Sequence, residues 1–192
     1  MANINTYEAI VIGTSAGGLL ALSTLLEAIP ENYPIPLVIV QHRSKEPKDL
    51  LEEILQGRTK IKIKQADEKE KIEGSKVYIA PPDYHLLIEK DRTFSLTTDE
   101  PVLFSRPSID VLFESAANVY KEKLIGIILT GSSSDGKIGI KAISKNKGLT
   151  IAQDPKEAQF PVMPLAAINS KEVKYILNLD QIKTFLLDIA LN

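Results

Sequence analysis

Five short apolar runs punctuate the chain: 8–13 (EAIVIG), 36–41 (PLVIVQ), 77–81 (VYIAP), 124–129 (LIGIIL) and 149–153 (LTIAQ). They are rich in β-branched residues and almost continuously apolar. That is the pattern of strands buried on both faces of a parallel sheet; half-exposed strands alternate instead. Between the runs the period changes. In 17–29 (GGLLALSTLLEAI) the leucines return at steps of three and four, which predicts a helix. In 108–120 (SIDVLFESAANVY) Ser108 stands as an N-cap after Pro107, and Asp180 is placed to cap a helix over 181–191. Strands alternating with helices predict a doubly wound α/β fold, a mostly parallel sheet flanked by helices. One region departs from this. Two β-prone segments, 84–91 (YHLLIEKD) and 93–99 (TFSLTTD), flank Asp91 and Arg92 and predict an inserted β-hairpin. There is no internal repeat and no Gly/Ser linker, so the expectation is a single domain over 1–192.

Composition narrows the function classes. A hydrophobic share of 44% with 25% charged residues is that of a soluble globular protein, not a disordered one. The net charge is −2 with both signs interspersed, so nothing resembles the basic footprint of a nucleic-acid binder. The densest charged run, 67–73 (DEKEKIE), mixes signs and is expected to be a solvated turn. Absence of cysteine excludes disulfides, thiolate chemistry and Cys-type zinc sites. The start, MANINTYEAI, lacks a basic region followed by an apolar core, and no apolar run approaches the ~18 residues of a membrane span. These features predict a cytoplasmic monomer with no membrane insertion, no metal and no cofactor.

In an open parallel sheet the loops leaving the carboxyl ends of the strands converge on one edge, where ligands bind. The first run leads to Ser15, the second to His42, and the run at 124–129 leads on to Asp135. A serine hydroxyl becomes a nucleophile when a base takes its proton, and histidine suits that task. An aspartate on the other ring nitrogen would fix the tautomer and stabilise the imidazolium. Gly13-Thr14-Ser15-Ala16-Gly17 fits G-x-S-x-G, a strand-to-helix turn that exposes a serine. Its order Ser, His, Asp differs from the Ser, Asp, His of α/β-hydrolases, so the motif alone does not place the chain in that superfamily. Other readings stay open at this point. Ser15 could simply suit a tight turn, and His85 is the one other histidine that could serve as base. Asp135 could cap the helix after Gly136. Gly13, Gly17 and Gly18 could form a nucleotide phosphate loop, although G-x-G-x-x-G is not met and the second strand ends in Gln41-His42 rather than an acid.

The blocks IGTSAGG (12–18), VIVQH (38–42), IAPPDYHL (79–86), RPSIDVLF (106–113), ILTGSSSDGKIG (128–139) and AQDPKEAQFPVMPLAAI (152–168) together resemble the catalytic domain of the chemotaxis protein-glutamate methylesterases, the CheB family. The resemblance runs from about Ile10 to about Leu179. It implies hydrolysis of glutamate methyl esters on chemoreceptor cytoplasmic helices with release of methanol; many members also deamidate receptor glutamines. It implies Ser15, His42 and Asp135 as catalytic residues, with backbone N–H groups of Ala16 and Ser132 as an oxyanion hole. Read from position rather than resemblance, His85 after the Pro81-Pro82 turn is expected to line or brace the site, and Arg106 before Pro107 either to form a surface ion pair or to bind a polar part of the receptor helix; 160–164 (FPVMP) is read as a wall flanking the site, with Met163 packing in it. Two departures fall beside the expected oxyanion hole: Ala16 replaces the family's usual threonine, and Ser132-Ser133 replaces a frequent Met-Gly. Members commonly carry an N-terminal receiver domain, whereas about seven residues precede the first strand here. The expectation is therefore a standalone catalytic domain, with a separate response-regulator partner and unregulated basal activity both open. A catalytically idle receptor-binding module of the same fold is the alternative reading.

Overall fold

The computed structural model describes residues 7–43 and 50–190. Residues 1–6, most of the stretch read for a leader, and Leu191, the last position of the predicted C-terminal helix, lie outside the described residues. In chain order the elements are β1 (Ala9–Thr14), α1 (Gly18–Leu26), β2 (Leu37–Gln41), α2 (Leu51–Gln56), β3 (Lys62–Gln65), β4 (Lys76–Ile79), β5 (His85–Ile88) and β6 (Phe94–Thr97). They continue with α3 (Ile109–Tyr120), β7 (Leu124–Ile128), α4 (Lys137–Lys145), β8 (Leu149–Gln153), α5 (Val162–Ile168), β9 (Tyr175–Leu177) and α6 (Leu179–Ala190). Seven strands form one sheet in the order β3-β4-β2-β1-β7-β8-β9, every pair parallel.

The continuous apolarity of the central strands has a direct cause. Along β1, Ile10 and Ile12 pack with Leu22 and Leu25 of α1 and Leu186 of α6 on one face of the sheet. Ala9 and Val11 pack with Leu112, Phe113 and Ala116 of α3 on the other. Each fully buried aliphatic contributes roughly 1.5–3 kcal/mol, so both faces demand apolar residues. The two strands that periodicity missed, β3 and β9, are the sheet's edges, where alternate or successive positions stay exposed and the apolar signal fades.

The expected hairpin is present as the antiparallel pair β5–β6, with Arg92 in the turn at φ 64°. It corrects one expectation. The charged run at 67–73 is not only a solvated turn, because it pairs with the hairpin. Lys69 N–H donates to Phe94 O at 2.8 Å, Phe94 N–H to Glu70 O at 2.9 Å and Ile72 N–H to Arg92 O at 3.0 Å. Lys64 Nζ gathers Asp67 and Glu70 at 2.8 Å each, which offsets part of the run's acidic charge.

Helix starts also differ in detail. Ser108 caps α3 as expected, accepting the Val111 N–H. Asp180 does not cap α6; it lies in the first turn, and Asn178 takes the cap. Asn178 Oδ1 accepts the Gln181 N–H at 2.8 Å while Gln181 Oε1 accepts the Asn178 N–H at 3.0 Å, a reciprocal capping box. Residues 160–164 lead into α5. Pro164 is tolerated there because N–H groups of a first helical turn have no intrahelical partner. No helix among the described residues is long and apolar enough to cross a membrane.

Candidate active site

The chain leaves β1 toward β2 on one side and later returns to β7 on the other. The carboxyl ends of β1 and β7 therefore flank the switch in strand order where α/β sheets bind ligands. These ends are stitched together: Thr14 Oγ1 and Ser15 N–H both donate to Thr130 O, at 2.8 and 3.0 Å. Gly13 is required by close approach, since a Cβ there would lie 2.4 Å from Ile109 Cγ2 at the start of α3. Gly17 takes the left-handed conformation, φ 78°, that turns the chain into α1. The space in front of Gly18 is filled by Gln41 Oε1 and Thr14, so these glycines open no phosphate cradle.

Beyond this edge lies a cavity of about 570 Å³ whose wall includes Ser15, His42, Ser105, Arg106 and Ser132. Ser15 Oγ has no hydrogen-bond partner among the described residues, whereas its carbonyl is held by Gly18 N–H at 2.9 Å and Gln41 Nε2 at 2.8 Å. The backbone is fixed and the hydroxyl is left over. His42 is anchored through its N–H to Thr14 O at 3.0 Å. Its Nε2 lies 2.7 Å from Asp135 Oδ2, and its Nδ1 lies 3.3 Å from Ser105 Oγ.

Asp135 is fully buried, yet it is surrounded by donors. Its carboxylate accepts from Ser108 Oγ at 2.9 Å, Ile109 N–H at 2.7 Å, Asp110 N–H at 3.0 Å and Gly136 N–H at 3.0 Å. Most of these belong to the N-terminus of α3, where backbone dipoles favour an anion. Burial alone would raise its pKa; the His42 contact and the Asp110 and Ile109 N–H groups overturn that and hold the carboxyl below the usual range. An ionised carboxylate only accepts, so Nε2 carries the imidazole proton and the lone pair of Nδ1 faces the cavity.

The remaining expected residues are placed as follows. Ser132 lies on the cavity wall. The N–H groups of Ala16 and Ser132 meet no acceptor among the described residues, which leaves both available to an anion. Arg106 lines the cavity, but its guanidinium is committed to Asp83 Oδ1 at 2.6 Å and to the carbonyls of Thr98 and Asp99. His85 does not line the site. It is buried in β5, accepting the Ser108 N–H on Nδ1 at 3.1 Å and bonding Glu100 O through Nε2 at 3.1 Å, so it braces the α3 cap from behind. Met163 is likewise off the cavity wall and buried, seated where a Cβ on Gly131 would meet its Cε at 2.7 Å.

Sequence reasoning passed over Asp110, which read as one more polar residue of an amphipathic helix. It is buried beside Asp135, with Oδ1 accepting the Gly139 N–H at 2.7 Å and Oδ2 unpaired among the described residues. Burial, with the Asp135 charge adding to it, pushes its carboxyl up to about 6. The folded state thus holds a proton that the unfolded chain releases, and stability falls as pH rises from about 4 to about 6, then levels. Asp110→Asn is expected to remove that slope and to stabilise the fold at pH 7.5 by on the order of 1–2 kcal/mol. Urea unfolding at half-unit pH steps would show it, and an unchanged slope would refute the assignment.

The model of the family described as CheB methylesterase matches residues 10–186. The chain belongs to the CheB methylesterase family. A relative from Leptospira interrogans, named as a protein-glutamate methylesterase/protein-glutamine glutaminase, is 54% identical over 176 residues, 92% of this chain and 91% of its own. Another, the protein-glutamate methylesterase/protein-glutamine glutaminase 1 of Carboxydothermus hydrogenoformans, is 38% identical over 93% of this chain and 54% of its own. The crystal structure of the Thermotoga maritima CheB methylesterase catalytic domain superposes with a TM-score of 0.91 at 31% identity, covering 95% of this chain and 98% of that one. The expected family and the doubly wound CheB fold are therefore both met.

Proposed function

We infer that the chain is a protein-glutamate methylesterase of chemotaxis adaptation, acting on methylated glutamates of chemoreceptor cytoplasmic helices and deamidating glutamines at the same site. The observation that carries this reading is the buried Asp135 bonded to His42 Nε2 in a cavity that also displays the unpartnered hydroxyl of Ser15. Ser15 Oγ attacks the ester carbonyl while His42 Nδ1 accepts its proton. The N–H groups of Ala16 and Ser132 receive the oxyanion; a backbone donor does not depend on its side chain, so the departures at these positions preserve the hole. His42 returns the proton to departing methanol, and water activated by the same nitrogen then cleaves the glutamyl-serine ester.

The deciding experiment supplies the purified chain with chemoreceptor cytoplasmic fragment carrying isotopically labelled methyl esters. Labelled methanol released in proportion to enzyme is expected, with ammonia from the unmodified glutamine form. Tight binding of the fragment with no methanol would instead establish the idle receptor-binding module.

A further inference from the structure

His42 must present an open Nδ1 to Ser15, yet in this structure that nitrogen already has a partner. Ser105 Oγ stands 3.3 Å from it, and Ser15 Oγ bonds to nothing among the described residues. With the Nδ1 lone pair accepting, the Ser105 hydroxyl is the donor. A length of 3.3 Å is at the long end for a hydroxyl donor, which suits a bond that has to be given up.

The placement of Ser105 is built by its turn. Val102 N–H donates to Ser105 O at 3.1 Å and Ser105 N–H to Val102 O at 2.9 Å, closing a two-residue loop. The loop residues, Leu103 and Phe104, both hold positive φ, 48° and 64°, where side chains are disfavoured and glycine or asparagine is the usual choice. The turn points Ser105 inward onto His42, while Phe104 is fully exposed on the cavity rim. The two-residue hairpin demands positive φ at both positions, and holding it with Leu and Phe on the wall of the site fixes where Ser105 stands.

We propose that Ser105 is a positioning residue that occupies Nδ1 of His42 in the resting site and competes with Ser15 for it. Rotation of the Ser105 O–H about its Cβ–Oγ bond releases the lone pair, and Ser15 then transfers its proton to Nδ1, no other group gaining or losing one. The inference rests on the reading of His42 as the base, but not on the identity of the ester.

The test therefore uses a small ester and a spectroscopic readout together. Ser105→Ala is expected to raise kcat/KM for p-nitrophenyl acetate roughly two- to tenfold, the change that one ordinary hydrogen bond can hold back. It is also expected to move the ¹⁵N resonance of neutral His42 Nδ1 downfield, as a lone pair loses its donor, and Ser105→Thr should restore both values. An unchanged or lowered rate in Ser105→Ala, or an Nδ1 resonance that does not move, overturns the proposal. Loss of methanol release from receptor in the wild type, with these two responses intact, would overturn the methylesterase reading and leave the role of Ser105 standing.

Discussion

Ser15→Ala is expected to lower methanol release by at least about 10³-fold, and toward 10⁶-fold if the covalent route is the whole of the activity. In barrier terms that is roughly 4–8 kcal/mol. The same change should leave the unfolding midpoint almost where it was. Ser15 Oγ bonds to nothing among the described residues, so its removal strands no buried donor or acceptor, and the contacts that shape the turn all come from its backbone. Full loss of activity with an intact fold is a sharp signature, because most substitutions that silence an enzyme also destabilise it. Denaturant unfolding in parallel with the methanol assay reads both halves. Retained activity would dismiss Ser15, and the hydroxyl that does contact His42, that of Ser105, would become the candidate nucleophile.

What the sequence disclosed and what it hid divide along physical lines. The five interior runs were legible because a strand buried on both faces has no polar alternative, and Ile10 to Ile12 face two different helical layers at once. Strand ends were legible too: knowing which polar residue follows each run brings Ser15, His42 and Asp135 to one edge without any contact being seen. The edges β3 and β9 were not, since three or four half-exposed residues carry no period. Nor was the environment of Asp135. From the chain alone it precedes Gly136, and a cap for the helix that follows stood as an alternative beside its role on His42; neither reading foresees that its carboxylate takes N–H groups from the start of α3, more than twenty residues upstream. Such a pairing is set by packing of Gly13 against Ile109, and no local pattern encodes it. Asp110 and Ser105 escaped for the same reason: each matters through a neighbour distant in sequence.

That environment makes Asp135→Asn the second large effect, and of a different kind. The amide keeps one oxygen, for which the hydroxyl of Ser108 and the N–H groups of Ile109, Asp110 and Gly136 all compete. The oxygen should turn to those donors and the NH₂ to His42, which forces Nε2 to accept and moves the imidazole proton to Nδ1. The base then presents a donor where Ser15 needs an acceptor, and kcat is expected to fall by about 10³–10⁴-fold. Unlike Ser15→Ala, this variant should also lose about 2–4 kcal/mol of stability, since buried donors are left with one acceptor atom in place of a charged pair. The pH dependence follows from the depressed carboxyl of Asp135: its stabilisation is fully present above the ordinary aspartate value of 3.8 and is lost as pH falls through the lower folded value. The stability gap between wild type and Asp135→Asn should therefore stay open from neutral pH to about 4 and close only below it. With the Asp135 charge gone, the raised carboxyl of Asp110 should relax downward, because that charge adds to its rise. Unfolding free energies of the two proteins across pH 3–8 would show the gap, and one that closes near pH 6 instead would mean that Asp135 is not the ionised member of the pair.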